Sequence, residues 1–281
     1  MKNTFPAWLG KRLCCSWWAR AKWARPRCCA VPPRLSGSSS RSTTRWRGSY
    51  PAIAARPELD HDRFYASYVQ TYLQRDLRDL ARVGDEMAFL RFLRAAAART
   101  AGLINLAGMA RDADNSPVTA KVWLSILQAS GVVMLLEPWH TNVSKRLVKA
   151  PKLHFTDKGL CAWLTRWSSP ETLAAGAMSG AMLETWVVGE ILKSWKHNAR
   201  SIGAYYLRDR DQREIDLLLV RDGRGWPVEI KRSAAPTARD VAQFSLPDQY
   251  GLEPATGAVV CLAPTPLPLT PRAWSVPVGM L

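Results

Sequence analysis

The chain has 281 residues, with 39 Lys and Arg against 23 Asp and Glu, a formal charge of +16. Its 47% apolar content excludes wholesale disorder, and no apolar run reaches the roughly 18 residues that a membrane span needs. One or two domains with real cores are expected at this length, and so basic a balance points to a polyanionic partner, nucleic acid or an anionic surface.

The charge is unevenly spread. Residues 1–50 hold eleven Lys and Arg and no acid, with four of the six Cys and five of the thirteen Trp. After residue 50, 28 basic residues face 23 acidic ones, a balance of +5. Cys161 and Cys261 stand a hundred residues apart, without metal-site or disulfide spacing. That usage fits a reducing cytoplasm.

Several readings fit residues 1–47. Arg and Lys interleaved with Trp suit phosphates and stacked bases. An Arg- and Ser-rich, acid-free stretch also suits a transit peptide. Cys14-Cys15 and Cys28-Cys29 are poorly spaced for zinc. The last reading is a shifted reading frame. If codons are rebuilt from each third base and the next two, Trp17-Trp18 gives Val, and Trp18-Ala19 and Trp23-Ala24 give Gly five positions apart. Cys14-Cys15 and Cys28-Cys29 give Leu, and the codons between permit a strand followed by G-x-x-x-x-G-K-T. That is a P-loop, whose backbone N–H groups cradle phosphates. The chain as written contains no such motif. No ATP site and no ATPase activity are therefore expected of it.

Arg34 to Arg45 reads as a linker. Phe64, Tyr65, Tyr68, Val69, Tyr72, Leu73, Leu77 and Leu80 recur at three and four, predicting a helix from about Asp60 to Val83. Phe89, Leu90, Leu93 and Ala97 predict a second. The Tyr stripe reads as a packed face. Residues 48–101 are thus expected to form a helical connector.

Residues 102–158 have the pattern of a winged helix. Leu106 to Arg111 is a short helix, Asp114-Asn115-Ser116-Pro117 a capped turn, and Val118, Val122, Leu124 and Leu127 mark a second helix. Val132 to Leu136 is a strand, Trp139 to Lys145 turns, and Leu153-His154-Phe155 returns. Lys121 on the second helix, and Lys145, Arg146, Lys149 and Lys152 on the wing, are candidate phosphate contacts. Thr119, Lys121 and Ser125 offer little base-reading chemistry. A winged helix used only for protein packing fits the same pattern.

Residues 159–281 carry the sharpest chemistry. Met182 to Trp195 is helical and includes Glu184. Ala204 to Leu207, Glu214 to Val220 and Trp226 to Lys231 are strands, the last two joined by a hairpin turn at Asp222-Gly223-Arg224-Gly225. Glu229 and Lys231, two apart, share a face, and Asp216 stands on the neighbouring strand. Two carboxylates suit Mg²⁺, a hard ion that prefers oxygen. A cation beside them can orient water or meet the charge developing on phosphate. Glu184 could add a carboxylate. The alternative is a charged hairpin face with an internal ion pair. His61, His140, His154 and His197 are scattered, without triad or metal spacing, and no G-x-S-x-G occurs. Pro264 to Pro268 reads as a link between strands at Gly257 to Leu262 and Ala273 to Val278.

Several segments together resemble the C-terminal region of a prokaryotic family of AAA-type ATPases that carries the domain of unknown function 4143. They are Trp46 to Pro51, Tyr72 to Leu77, Lys145 to Leu153, Phe155 to Leu160, Leu183 to Val188, Glu214 to Asp216 and Val228 to Lys231. The resemblance covers about residues 46–281. It implies an N-terminal P-loop ATPase domain, a winged helix and a restriction-endonuclease-like domain, with Asp216, Glu229, Lys231 and Glu184 at nuclease-fold positions. The chain departs from the family at its front, where fewer than fifty residues precede Arg47-Gly48.

The expectation is an α/β (α+β) chain, with a helical segment and winged helix followed by a mixed sheet flanked by helices. Its expected function is that of an ATPase-family remnant that binds DNA, with Mg²⁺-dependent phosphodiester hydrolysis at Asp216 and Glu229. The alternatives are a non-catalytic module that packs on protein, DNA or a second copy, and a non-functional truncated product.

Overall fold

The computed structural model describes residues 47–81, 85–140 and 150–281. Helices α1 (Pro51–Ala55), α2 (His61–Ala81) and α3 (Glu86–Ala97) come first. Then follow β1 (Gly102–Leu103), α4 (Leu106–Asp112), α5 (Pro117–Ala129), β2 (Val133–Pro138) and β3 (Lys152–Phe155). Next are α6 (Lys158–Leu164), α7 (Pro170–Ala175), α8 (Ser179–His197), β4 (Gly203–Arg208), β5 (Glu214–Arg221) and β6 (Arg224–Ile230). A 3-10 helix (Ala238–Ser245) precedes α9 (Leu246–Gln249), β7 (Glu253–Pro254), β8 (Gly257–Cys261), β9 (Leu267–Thr270) and β10 (Ala273–Pro277). The chain is mixed α/β, as expected. Among the described residues no helix is long and apolar enough to cross a membrane.

Two compact units result. A helical unit takes the described residues up to Leu135 together with Lys152–Thr185, and a sheet unit takes Leu136–Pro151 and Trp186–Leu281. Residues 159–185, grouped in sequence with the C-terminal part, thus cluster with the helices. The basic segment 1–46 lies outside the described residues.

In the helical unit, capping side chains mark where helices start. Asp85 accepts from Ala88 N at 2.8 Å, Asn105 from Gly108 N at 2.9 Å, and Ser116 from Thr119 N at 3.1 Å with Pro117 at the first helical position. The core is aromatic. The Trp123 ring stands 5.3 Å from Phe89 and 5.5 Å from Phe92, both tilted edge-on, the favoured arrangement. Leu127, Leu153, Phe155 and Leu160 are buried in the same cluster. Helices α4 and α5 pack on each other across the turn at Ala113–Ser116. β1 pairs antiparallel with β3, and Thr156 N donates to Val132 O at 3.1 Å, tying the end of β3 to the start of β2.

One carboxylate fastens the start of this unit. Asp157 caps α6 through Leu160 N at 2.7 Å. It also accepts from Tyr65 Oη at 2.7 Å and from Ser49 N at 2.6 Å. The chain can pass this close only because positions 48 and 159 are glycine: a Cβ on either would collide with Tyr65 Oη, and Gly48 has φ +98°.

Two sequence readings in this region need correction. Val118 and Val122, read with Leu124 and Leu127 as one stripe marking the helix, are 75% and 50% exposed. Ala120, Trp123, Leu124 and Leu127 form the buried stripe instead. The run after Pro264 is more than a link, since Leu267–Thr270 is a strand paired antiparallel with β10.

The sheet unit orders its strands β2-β4-β5-β6-β8-β10-β9, with β7 beside β6. β4–β5, β5–β6 and β10–β9 are antiparallel, while β2–β4, β6–β8 and β8–β10 are parallel. Leu217, Leu218 and Leu219 of β5 and all of β8 are buried, as strands covered on both faces require. The β5–β6 hairpin closes at Asp222 and Gly223, with φ of 50° and 74°. That pair of positive angles suits an Asp-Gly turn and the strand twist. It fixes the register at Arg221↔Arg224 and carries it to Leu217↔Val228.

Candidate functional site

The hairpin register sets the site. The pairing runs as far as Leu217 opposite Val228; continuing that register places Asp216 opposite Glu229, and residues opposite each other share a face. Lys231, two after Glu229, shares that face too. The Asp216 carboxylate bridges the strands: its Oδ2 accepts from Ile230 N at 2.8 Å. Lys231 Nζ lies 2.6 Å from Glu229 Oε1, and Lys231 N donates to Val260 O at 2.9 Å, continuing the β6–β8 ladder. The Glu229 side chain is 8% exposed and that of Lys231 41% exposed, so the pair has a sealed anion and an accessible cation.

Electrostatics tie these residues to one more carboxylate. Burial acts to lower the Lys231 pKa, but the hydrogen bond and charge of Glu229, with the charges of Asp216 and Asp240, outweigh it and hold the pKa above the usual lysine value. Asp240 sits on the 3-10 helix that packs against β5, β6 and β8. Its carboxylate accepts from Thr237 N at 2.7 Å in a capping box, Thr237-x-x-Asp240. That box was legible in the sequence; the reach of Asp240 to Lys231 was not, because it depends on how the 3-10 helix packs.

Glu184 has a different partner. Its Oε1 lies 2.8 Å from Lys152 Nζ in the helical unit, with the Lys152 side chain 5% exposed and that of Glu184 16%. Lys152, expected on the outside of a basic wing, is therefore a buried, paired cation, and from this position it reaches no phosphate. The reason is its place at the start of β3, whose four residues are all buried. Lys145, Arg146 and Lys149 lie outside the described residues. Lys121 is exposed on α5.

The Lys152–Glu184 pair adjoins a buried polar network that the sequence did not suggest. Thr100 Oγ1 meets Thr185 Oγ1 at 2.7 Å, and Thr185 Oγ1 lies 3.3 Å from His154 Nδ1. Burial, aided by the charge of Lys152, pushes the His154 pKa down to about 3. The imidazole is therefore neutral across the physiological range.

The donor set at Asp216 and Glu229 is oxygen only. Among the described residues no group of three or more His, Cys, Asp or Glu is placed to hold a metal ion. Two carboxylates still fit Mg²⁺, which is commonly held by one or two carboxylates with water and substrate phosphate supplying the rest.

Comparison with known proteins gives families without an assigned activity. Residues 41–171 match the domain of unknown function DUF8612, and residues 179–281 match the domain of unknown function DUF4143. An uncharacterized protein of Mycobacterium bovis and one of Mycobacterium tuberculosis are each 30% identical over 247 residues, which is 87% of this chain and 54% of the relative. The chain thus spans about half the length of the curated relatives it matches. No solved structure matches.

Proposed function

We propose that the chain binds DNA and that the face bearing Asp216, Glu229 and Lys231 cleaves phosphodiesters with Mg²⁺. The observation that carries this reading is the clustering of the three residues on one hairpin face, with a half-exposed lysine side chain beside a buried carboxylate. Asp216 and Glu229 would hold the ion, which would neutralise charge on the phosphate. Lys231 meets the phosphate oxygens as charge develops on them. Glu184 is left out of this role because Lys152 occupies it.

The reading treats β1, α4, α5, β2 and β3 as a winged helix, the order helix–turn–helix, strand, wing and return strand being that of such modules. It also treats the domain as of restriction-endonuclease type, within a family that elsewhere joins it to an AAA-type ATPase. ATP hydrolysis is not part of the proposal, since G-x-x-x-x-G-K-[ST] is absent from the sequence. The nucleotide sequence tests the shifted-frame origin of residues 1–46: a frame across Cys14–Cys29 that fails to encode the P-loop rules it out.

The test is cleavage of duplex and single-stranded DNA by the full chain, with Mg²⁺ and with a chelator. Wild type should cut only with the metal. Glu229→Ala should be inactive, and Lys231→Ala should lose on the order of a hundredfold, as loss of one charge-stabilising donor does elsewhere. No metal-dependent cleavage by wild type overturns the enzyme reading. It would favour a second one, in which the 2.6 Å Lys231–Glu229 pair only neutralises the buried carboxylate within β6 of a non-catalytic binding module.

A further inference from the structure

Three carboxylates act on Lys231, and the proposed metal site claims only two of them. Glu229 holds the ammonium at 2.6 Å, and the charges of Asp216 and Asp240 add to its pull. Asp216 and Glu229 are the proposed ligands of Mg²⁺. Asp240 stands apart, on the 3-10 helix Ala238–Ser245. Its neighbour Val241 is buried with Val259 and Cys261 of β8. Val259 pairs with Glu229, and Lys231 N bonds Val260 O, which carries that register on to Cys261 beside Lys231. The 3-10 helix therefore lies on the sheet face that carries Glu229 and Lys231. The charge of Asp240 reaches Cys261 as well as Lys231.

The capping box fixes Asp240 by one oxygen. Its Oδ2 accepts from Thr237 N at 2.7 Å and from Thr237 Oγ1 at 3.2 Å, and Oδ1 accepts no hydrogen bond among the described residues. Lys231 has a flexible four-carbon stem and a side chain 41% exposed, so its ammonium can turn between partners. Glu229 Oε1 cannot hold an ammonium at 2.6 Å and face a divalent cation with equal strength, because the two cations repel each other. A Glu229 carboxylate turned to Mg²⁺ therefore leaves Lys231 short of a partner. Of the three acids, Asp240 is the one whose charge stays available to the ammonium.

We propose that Asp240 is the positioning residue of Lys231: when Glu229 turns to the metal, Asp240 takes over the ammonium and keeps it aimed at the phosphate. This deepens the nuclease reading above and rests on it. The ammonium has three donors, so it can meet Asp240 and a phosphate oxygen together. Asp240 itself touches neither phosphate nor metal and acts only through Lys231. Without that hold the ammonium stays on Glu229, in competition with Mg²⁺, or swings into water, away from the phosphate. The first consequence shows in metal binding and the second in turnover.

Asp240→Asn and Asp240→Glu provide the test. Both keep an oxygen for Thr237 N, so their thermal melts should stay close to wild type, and only Glu keeps the charge. Mg²⁺ binding to the full chain is measured by calorimetry without DNA, and DNA cleavage by steady-state rates. Asp240→Asn should weaken Mg²⁺ binding about tenfold and lower kcat by a similar factor, the lower end for groups that orient a metal site's ligands. KM for DNA should not change. Asp240→Glu should recover most of both losses. In a Lys231→Ala background, Asp240→Asn should change neither quantity, since its route runs through Lys231. Persistence of either loss in that background would make Asp240 a distant charge or a plain cap, and overturns the inference. A wild type that cleaves, with Asp240→Asn equal to it in both measurements, overturns this inference alone. A wild type that cleaves no DNA overturns the enzyme reading and this inference with it.

Discussion

Each unit contains a lysine–glutamate pair with at least one partner on a strand, and the two pairs differ in one respect. Lys152 and Glu184 meet at 2.8 Å with both side chains largely sealed, whereas Lys231 and Glu229 meet at 2.6 Å with the lysine side chain 41% exposed. Nearly equal distances thus serve two physical situations. A sealed pair must remain a pair, since either charge left alone in a low-dielectric interior is costly. A half-exposed lysine side chain has water as an alternative partner, so exchanging its carboxylate for another anion costs less than opening a pair sealed on both sides, with Glu229 still buried beside it. On that ground the proposal gives the phosphate to Lys231 and not to Lys152.

Breaking the sealed pair should have the largest effect. Glu184→Ala leaves the Lys152 ammonium buried beside neutral His154, and should cost about 3–5 kcal/mol of stability. Replacing both partners, as in Lys152→Met/Glu184→Leu, should recover most of that loss, because the desolvation of two charges disappears with them. Chemical denaturation of the three proteins measures both effects. A Glu184→Ala variant as stable as wild type would remove the basis for calling the pair sealed.

The next effect is a pH dependence confined to the helical unit. His154 titrates at about 3 in the fold and near 6.5 when exposed. The unfolded chain therefore takes up a proton that the folded chain refuses. The contribution is fully present above pH 6.5 and is lost as pH falls toward 3, at roughly 1.4 kcal/mol per pH unit. His61 is lowered as well, chiefly by burial, so the informative quantity is a difference. His154→Gln keeps an amide for Thr185 and cannot take up the proton. Denaturation between pH 7 and 5 should show a slope in wild type that is shallower in the variant, and parallel curves would sink this account of His154.

How much of this was legible depended on how local the cause was. The hairpin site was legible because turn, strands and face all follow from one continuous stretch, Glu214 to Ile230, whose register is fixed by the turn at Asp222-Gly223. Asp216 and Glu229 therefore fell on one face by alternation alone. The long helix was legible too: a stripe expected over Asp60 to Val83 is His61–Ala81. On α5 the period was ambiguous. Val118, Val122 and Ser125 form one row, and Ala120, Trp123, Leu124 and Leu127 another, and the larger Trp123 side chain decides by packing on Phe89 and Phe92. Pro268 argued against a strand, yet β9 stands at the end of the strand order, where a missing N–H is tolerated. The partner of Glu184 was out of reach, because Lys152 stands 32 residues away in sequence.

The smallest effect sharpens the comparison most. Lys231→Ala should cost about 1–2 kcal/mol of stability: water replaces what the half-exposed lysine side chain loses, but the Glu229 carboxylate, 8% exposed, is left without its ammonium, which takes the loss above that of an exposed pair. The sign of its pKa shift adds a second constraint. A lysine whose folded pKa is raised contributes stability that is fully present below its unfolded value, near 10.5, and lost as pH rises through the folded value. Between pH 5 and 9 the gap between Lys231→Ala and wild type should therefore be constant, whereas His154 produces its slope only below about pH 6.5. A small, pH-independent loss of stability combined with a large loss of cleavage assigns Lys231 to the reaction. A loss as large as that of Glu184→Ala would make Lys231 a second structural pin, and the open pair would then carry no more chemistry than the sealed one.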